Sequence, residues 1–229
     1  MTKTEWTASV EDYLKTLYAI EAAAEAGTTG NIADRLDVSP ASVTAMLQRL
    51  AAFDPPLVNY EKRRGASLTD AGMERALEMV RHHRLIELFL HQVLGYRWDE
   101  VHEEAEKLEH VISEDLEERI ARYLGDPTED PHGDPIPARD GSMPGEPGRS
   151  LVRMETGARG EVVRVADAPP EMLRYLSTIG IEPGTTLVLL AKGPFDGPYT
   201  VRIGEERNEA SLSRTVAERL HVREESIHG

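Results

Sequence analysis

Between residues 125 and 148 the chain places six prolines and five glycines in 24 positions. Proline removes a backbone donor and glycine weakens any regular element, so this stretch supports neither a helix nor a central strand. It divides the 229 residues into halves of different texture. After it come strand-like runs at 160–165, 186–190 and 199–203, parted by turn signals at Pro183-Gly184, Gly193-Pro194 and Asp196-Gly197-Pro198. A small all-β barrel of about 75 residues is expected there.

Before it, apolar residues recur at helical spacing. Val10, Tyr13, Leu14, Leu17, Tyr18 and Ile20 mark a helix over 9–24, with Ser9 as its cap and Gly27 beyond its end. A short helix follows at 31–36. Ser39 and Pro40 then open a third helix that runs to about residue 53, before Pro55-Pro56. The segments 57–61 and 66–69 read as a hairpin around the basic turn Lys62-Arg63-Arg64-Gly65. A long helix over 69–94 ends at Gly95, and another is expected over 99–124.

The chain has no cysteine, which excludes disulfide scaffolds, thiolate metal sites, iron–sulfur clusters and thiol catalysis. Residues 1–10 lack the apolar core of a signal peptide, and no run approaches the roughly 18 apolar residues of a membrane span. A soluble, cytoplasmic protein with no membrane partner is expected. Net charge is −15, but unevenly placed: residues 76–140 hold 7 basic and 17 acidic groups. Such clustering suits either a solvated acidic face or a carboxylate-lined cation site.

Helix, short helix, turn, third helix and basic-tipped hairpin form the winged helix-turn-helix pattern. The third helix offers Ser39, Ala41, Ser42, Thr44, Ala45, Gln48 and Arg49 on one face and Val43, Met46, Leu47 and Leu50 on the other; the DNA-contact candidates are Ser39, Pro40, Ala41, Ser42, Thr44, Gln48 and Arg49. Small and polar residues let a helix approach base edges in the major groove. Lys62, Arg63 and Arg64 sit where a wing would grip phosphates. The alternative is a three-helix core whose third helix packs on another protein.

Within the acidic stretch, Glu106, Glu109 and His110 follow His102 by four, seven and eight positions, and would share one face of a helix. His83 and Glu87 repeat the four-residue spacing upstream, and Glu11-Asp12 lies early in the first helix. Mixed imidazole and carboxylate donors suit Mn²⁺, Fe²⁺, Co²⁺ or Zn²⁺. Both catalytic zinc motifs fail by one ligand: His102-Glu103-Glu104-Ala105-Glu106 ends in Glu, and Glu106-Lys107-Leu108-Glu109-His110 begins with it. No Gly-x-Ser-x-Gly elbow or phosphate loop is present.

The segment from Ser9 to Tyr18 (SVEDYLKTLY), the winged helix, His83-Arg84-Leu85-Ile86-Glu87, the run from Val101 to Ser113 and Gly133-Asp134-Pro135-Ile136-Pro137 together resemble the diphtheria toxin repressor family of metal-dependent transcriptional regulators. The C-terminal part, with Gly180-Ile181-Glu182-Pro183-Gly184, is similar to that family's SH3-like, FeoA-type domain. The resemblance implies an α+β fold with a winged helix-turn-helix at 1–72, a helical metal-binding and dimerisation domain at 73–140, a linker at 141–150 and a small SH3-like β-barrel at 151–229. It implies one metal site on Asp12, Glu106, Glu109 and His110. A second would use His83, Glu87 and His102, with Asp167 and Glu171 as candidates from the SH3-like domain. Asp12 and Glu106 stand where the iron-sensing branch has sulfur ligands, which favours Mn²⁺ over softer ions. Lys15 stands where the manganese branch has a second carboxylate. The function implied is a homodimeric, Mn²⁺ (or Fe²⁺) dependent repressor with two ions per chain, bound to double-stranded operator DNA. A metallohydrolase using the His/Glu stripe and a metal-buffering adaptor are the rival classes.

Overall fold

The computed structural model describes residues 7–145, 148–195, 197–204 and 208–225. Asp196 of the third turn signal and residues 1–6 of the N-terminal segment lie outside the described residues. The chain forms two compact units. The first is built from the described residues of Met1–His83, Glu106–Glu114 and Pro137–Ser142, the second from those of Arg84–Ala105, Asp115–Ile136 and Met143–Gly229. No helix among the described residues is long and apolar enough to cross a membrane.

In the first unit, helices α1 (Ala8–Ala22), α2 (Thr29–Leu36) and α3 (Pro40–Ala51) precede a two-stranded hairpin, β1 (Val58–Glu61) and β2 (Gly65–Leu68). Val10, Leu14, Leu17 and Ile20 of α1 bury against Ile32, Val43, Leu47, Leu50 and Leu57. The cap of α1 is Thr7, whose hydroxyl accepts from the Val10 amide at 3.4 Å, and not Ser9, which lies inside the helix. Thr28 and Ser39 cap α2 and α3 in the same way. Helix α1 also stops earlier than its apolar period suggests, with Ala24 turning the chain through a left-handed φ of 54°.

Gly27 has a different task. Its carbonyl accepts from the Ala66 amide at 2.8 Å, and a Cβ at residue 27 would lie 2.1 Å from the Ala66 carbonyl oxygen. Across the same contact, Gly65 holds a φ of 105° that side chains rarely adopt. The wing is thus seated on the loop after α1 by backbone alone. The Leu68 amide adds a second tie, donating to Glu21 of α1 at 2.7 Å.

Thr69 caps the long helix α4 (Asp70–Leu94), accepting from the Gly72 amide at 3.1 Å. The division between the units falls inside this helix. The single helix expected over 99–124 is two: α5 (Val101–Leu108) and α6 (Glu114–Tyr123). Glu109, His110 and Val111 form a turn between them. Val111-Ile112 are β-branched and Ser113 is a capping residue type, a poor interior for a continuous helix.

The second unit carries a six-stranded antiparallel sheet in the order β3-β8-β4-β5-β6-β7. Its strands are β3 (Arg149–Ser150), β4 (Arg159–Val165), β5 (Thr186–Lys192), β6 (Tyr199–Ile203), β7 (Asn208–Leu212) and β8 (Leu220–Glu224). It is not all-β as expected, because α7 (Pro170–Thr178) and α8 (Arg214–Arg219) pack on it. Pro169-Pro170 pre-sets the first turn of α7, which buries Leu173 and Leu176, and Ser213 caps α8. The described residues of the proline- and glycine-rich stretch form no helix or strand, as expected, yet its first part is firmly packed. Ile136 joins Leu85, Leu88 and Ile120 in a core cluster, and the Val165 amide of β4 donates to the His132 carbonyl at 2.8 Å.

Gly27→Ala should cost about 2 kcal/mol, since the methyl collides with backbone that cannot yield without moving the wing. Urea denaturation of the metal-free protein measures this; a change below 0.5 kcal/mol, an order-of-magnitude threshold, would show that the seat relaxes freely.

Candidate metal centre and nucleic-acid interface

The first unit gathers its ionisable side chains where α1, α4 and the α5–α6 turn meet. Asp12 and Lys15 come from α1, His83 from α4, Glu106 from α5, and Glu109 and His110 from the turn. The shared helical face expected for His102, Glu106, Glu109 and His110 is therefore corrected: the last two lie beyond α5 and are aimed by the turn. Donor atoms of Asp12, Glu109 and His110 lie within 4.8 Å of one another. His110 Nε2 is 2.9 Å from Asp12 Oδ1 and 3.4 Å from Glu109 Oε1.

Glu109 is 1 % exposed, and a carboxylate so buried needs compensation. It receives two partners: Lys15 Nζ at 2.5 Å and His83 Nδ1 in close contact. Burial pushes its pKa up, but the His83 and Lys15 interactions outweigh this and hold it below the ordinary 4.5. Lys15 also reaches Glu106 at 2.6 Å, and its own pKa is raised: burial opposes the charge, and Glu109 and Glu106 more than restore it. Asp12 is raised by burial, which exceeds the pull of His110 and Lys15.

Glu11 was noted in the sequence only as Asp12's neighbour, and the structure gives it a distinct place. It is buried, clasped by Arg75, and its other oxygen lies 2.7 Å from His110 Nδ1. With the Nδ1 hydrogen donated to Glu11, His110 Nε2 directs a lone pair at Asp12 and Glu109. This carboxylate–histidine arrangement orients metal-ligating imidazoles.

The second unit holds another cluster, Glu87, Asp130 and His132, all buried, with donor atoms within 4.8 Å. His102 Nδ1 is 3.3 Å from Glu87 Oε1. Sequence reasoning found Glu87 and His102 but not Asp130 and His132, because it treated their segment as a spacer. The signal available was a histidine and an aspartate bracketing a proline inside an otherwise polar loop. Asp130 Oδ1 accepts from the amides of His132 (2.8 Å) and Asp134 (2.9 Å), leaving Oδ2 facing the imidazole. His132 Nε2 lies 2.7 Å from the Trp98 carbonyl, which can only accept, so Nε2 carries the proton and Nδ1 faces Glu87 and Asp130. Burial would lower the His132 pKa, but Asp130, Glu87 and the carbonyl raise it to about 9. Asp167 and Glu171 are exposed and join none of the donor clusters found among the described residues.

The nucleic-acid candidates are displayed on the first unit. Ser39, Pro40, Ala41, Ser42, Gln48 and Arg49 are exposed along α3, and Thr44 is half-buried, its hydroxyl donating to the Pro40 carbonyl at 3.0 Å. Lys62, Arg63 and Arg64 stand exposed at the tip of the hairpin, where Arg63 adopts a φ of 73° and Arg64 pairs with Glu61 at 2.9 Å.

Three family models match in series: the N-terminal DNA-binding domain of iron-dependent repressors at residues 5–66, their metal-binding and dimerisation domain at 69–138, and the FeoA domain at 149–224. The iron-dependent repressor IdeR of Mycobacterium tuberculosis is 37 % identical over 161 residues, covering 69 % of each chain. The chain belongs to the iron-dependent repressor family.

The diphtheria toxin repressor of Corynebacterium efficiens is 31 % identical over 80 % of this chain and 83 % of its own. Among solved structures, a manganese-dependent transcriptional repressor in complex with manganese has a TM-score of 0.86 at 40 % identity, covering 94 % of this chain and all of that one. The manganese regulator SloR follows at 0.77 and 31 % identity, covering 94 % and 98 %. The family is one of metal-dependent DNA-binding transcriptional repressors and not of enzymes, which sets aside the hydrolase alternative. It also bears out the expected α+β architecture, with a winged helix-turn-helix, a helical middle and an SH3-like, FeoA-type C-terminal domain.

Two outcomes follow for this repressor without metal. His132 has a folded pKa of about 9 against an ordinary 6.5, so its stabilising contribution is full below pH 6.5 and lost as pH rises through about 9. Urea titrations from pH 6 to 10 should show that decline in the wild type and a flatter profile in His132→Gln; parallel profiles would count against the pairing. Lys15→Gln leaves Glu109 with the imidazoles of His83 and His110, and should cost about 3 kcal/mol at neutral pH while tightening Mn²⁺ binding. Calorimetry showing unchanged or weaker Mn²⁺ affinity would contradict the competition between ammonium and cation.

Proposed function

We propose that this chain is a Mn²⁺ (or Fe²⁺) responsive repressor, acting in the cytoplasm as a homodimer on double-stranded operator DNA, with two cation centres per chain. One centre is Asp12, Glu109 and His110, with Glu106 and His83 beside it. The other is Glu87, Asp130 and His132, with His102 at its rim. The donor sets fit a divalent cation: each offers an imidazole and two carboxylates at convergent distances. Donors without sulfur favour Mn²⁺ over softer ions. The manganese-dependent neighbours support that choice, and the iron-dependent relatives keep Fe²⁺ in view. Asp167 and Glu171 are not part of this assignment. Exposed Leu116 and Tyr123 on α6, within the span matched by the dimerisation-domain model, supply apolar surface suited to a second copy.

The observation that carries the reading is that Asp12 belongs to the helix on which the DNA-binding core is packed, while His110 and Glu109 come from a turn nearly a hundred residues later. A bound cation supplies the positive charge that lets Asp12 and Glu109 approach as carboxylates. Glu11, held by Arg75, keeps His110 turned toward them. Asp12, so fastened, holds α1, and α1 holds α3 and the wing through Leu14, Leu17, Ile20 and the Glu21–Leu68 bond. The DNA-competent arrangement is favoured only by the difference in cation affinity between conformers, and operator must tighten cation binding by the same factor.

On DNA, Ser39, Pro40, Ala41, Ser42, Thr44, Gln48 and Arg49 would meet the major groove, and Lys62, Arg63 and Arg64 the phosphates. Asp12→Asn should abolish the reciprocal tightening between Mn²⁺ and operator in calorimetry. Arg63→Gln should weaken binding on every sequence and lower the salt slope by about one, whereas Gln48→Ala should change sequence preference. Equal Mn²⁺ affinity with and without operator in the wild type would overturn the reading.

A further inference from the structure

We propose that Glu78, His82 and Glu114 form a third divalent-cation site, separate from both centres described above. Glu78 and His82 lie four residues apart on α4 and so share a face, and Glu114 is the first residue of α6. One donor atom from each lies within 4.8 Å of the others. His82 Nε2 is 3.6 Å from Glu114 Oε1, too far for a good hydrogen bond and suited to two ligands of one ion.

The independent observation is His82 itself. It is 3 % exposed, and neither ring nitrogen has a hydrogen-bond partner. A neutral imidazole carries one donor and one acceptor, and leaving such groups unpaired in the interior is costly. His83, the next residue, is by contrast in close contact with Glu109. An ion on Nε2 would satisfy the nitrogen that faces the carboxylates.

The surroundings support a ligand set and not a closed salt bridge. Arg75 holds Glu78 from one side through Oε2 at 2.5 Å. Glu114 keeps 62 % of its side chain exposed, so the site opens to solvent, where water completes the coordination. One imidazole and two carboxylates with an open position suit Zn²⁺ or a similar first-row ion. Glu114 follows His110 by four residues. Coordination here would fasten the far end of the α5–α6 turn to α4, steadying the segment that aims Glu109 and His110 without sharing a ligand with them.

The test counts Zn²⁺ bound to the full-length protein by equilibrium dialysis, for the wild type, Glu114→Gln, His82→Gln and Glu114→His. The wild type should bind one more Zn²⁺ than Glu114→Gln and His82→Gln, or bind its weakest Zn²⁺ at least about tenfold more tightly. Glu114→His, which exchanges one ligand type for another, should retain that ion. Glu114 is exposed, so its variants keep the fold and decide the matter even if His82→Gln does not. Zinc-edge diffraction should place a peak between His82 Nε2 and Glu114. Identical Zn²⁺ number and affinity in the wild type and Glu114→Gln would overturn the site. Mn²⁺-dependent operator binding, measured in parallel, would be untouched by that failure.

Discussion

The burial of one carboxylate organises the first unit. Glu109 is inside the protein on the turn after α5, and its buried carboxylate has no charge partner within that turn other than the neighbouring His110, so charges come to it from elsewhere. Lys15 arrives from α1 and His83 from α4, and each contact ties a distant stretch of chain to the turn. Buried charges tolerate little rearrangement, because removing one partner strands the other in a poor dielectric. Ammonium, imidazole and divalent cation are alternative answers to one electrostatic demand. Lys15 supplies that answer from within the chain.

The cluster in the second unit reaches a similar donor set by different means. There the backbone acts first: two amides engage one oxygen of Asp130, and the Trp98 carbonyl selects the tautomer of His132. The imidazole also packs near the Trp98 ring, with centroids 5.8 Å apart. Gly133 lets this loop lie against β4, since a Cβ at that residue would fall 1.9 Å from the Val163 carbonyl oxygen. The first part of a stretch whose composition forbids regular structure is here held by hydrogen-bonded turns and packing.

Much of the architecture was legible because it rests on local chemistry. Ser39-Pro40, the Lys62-Arg63-Arg64 tip and the apolar period of α1 speak for themselves, and each lies where the reading put it. Errors arose where a longer-range force overrode a local period. The periodicity of 99–124 continues through residues 109–113, yet the demand of Glu109 for Lys15 and His83 coincides with a turn there. Helices α7 and α8, of nine and six residues, are short and sit among strands, so the few apolar residues of each give too brief a helical period to stand out. Asp12, Glu106, Glu109 and His110 could be named from residue type and resemblance. Glu11 could not, because holding an imidazole in place leaves no spacing signature, and Asp130 and His132 carried only the weak signal of an aspartate and a histidine on either side of Pro131.

Helix α1 bears Asp12 near one end and Glu21 near the other, nine residues or about two and a half turns apart. Asp12 looks to the α5–α6 turn and Glu21 to the wing, so the helix acts as a stiff rod of about 13 Å between them. Insertion or deletion of one residue within that rod would swing one end by about 100° relative to the other. Its length is accordingly as constrained as any side chain in the protein. Lineages descending from this sequence can be expected to vary the composition of these turns freely on the exposed side, and their number not at all.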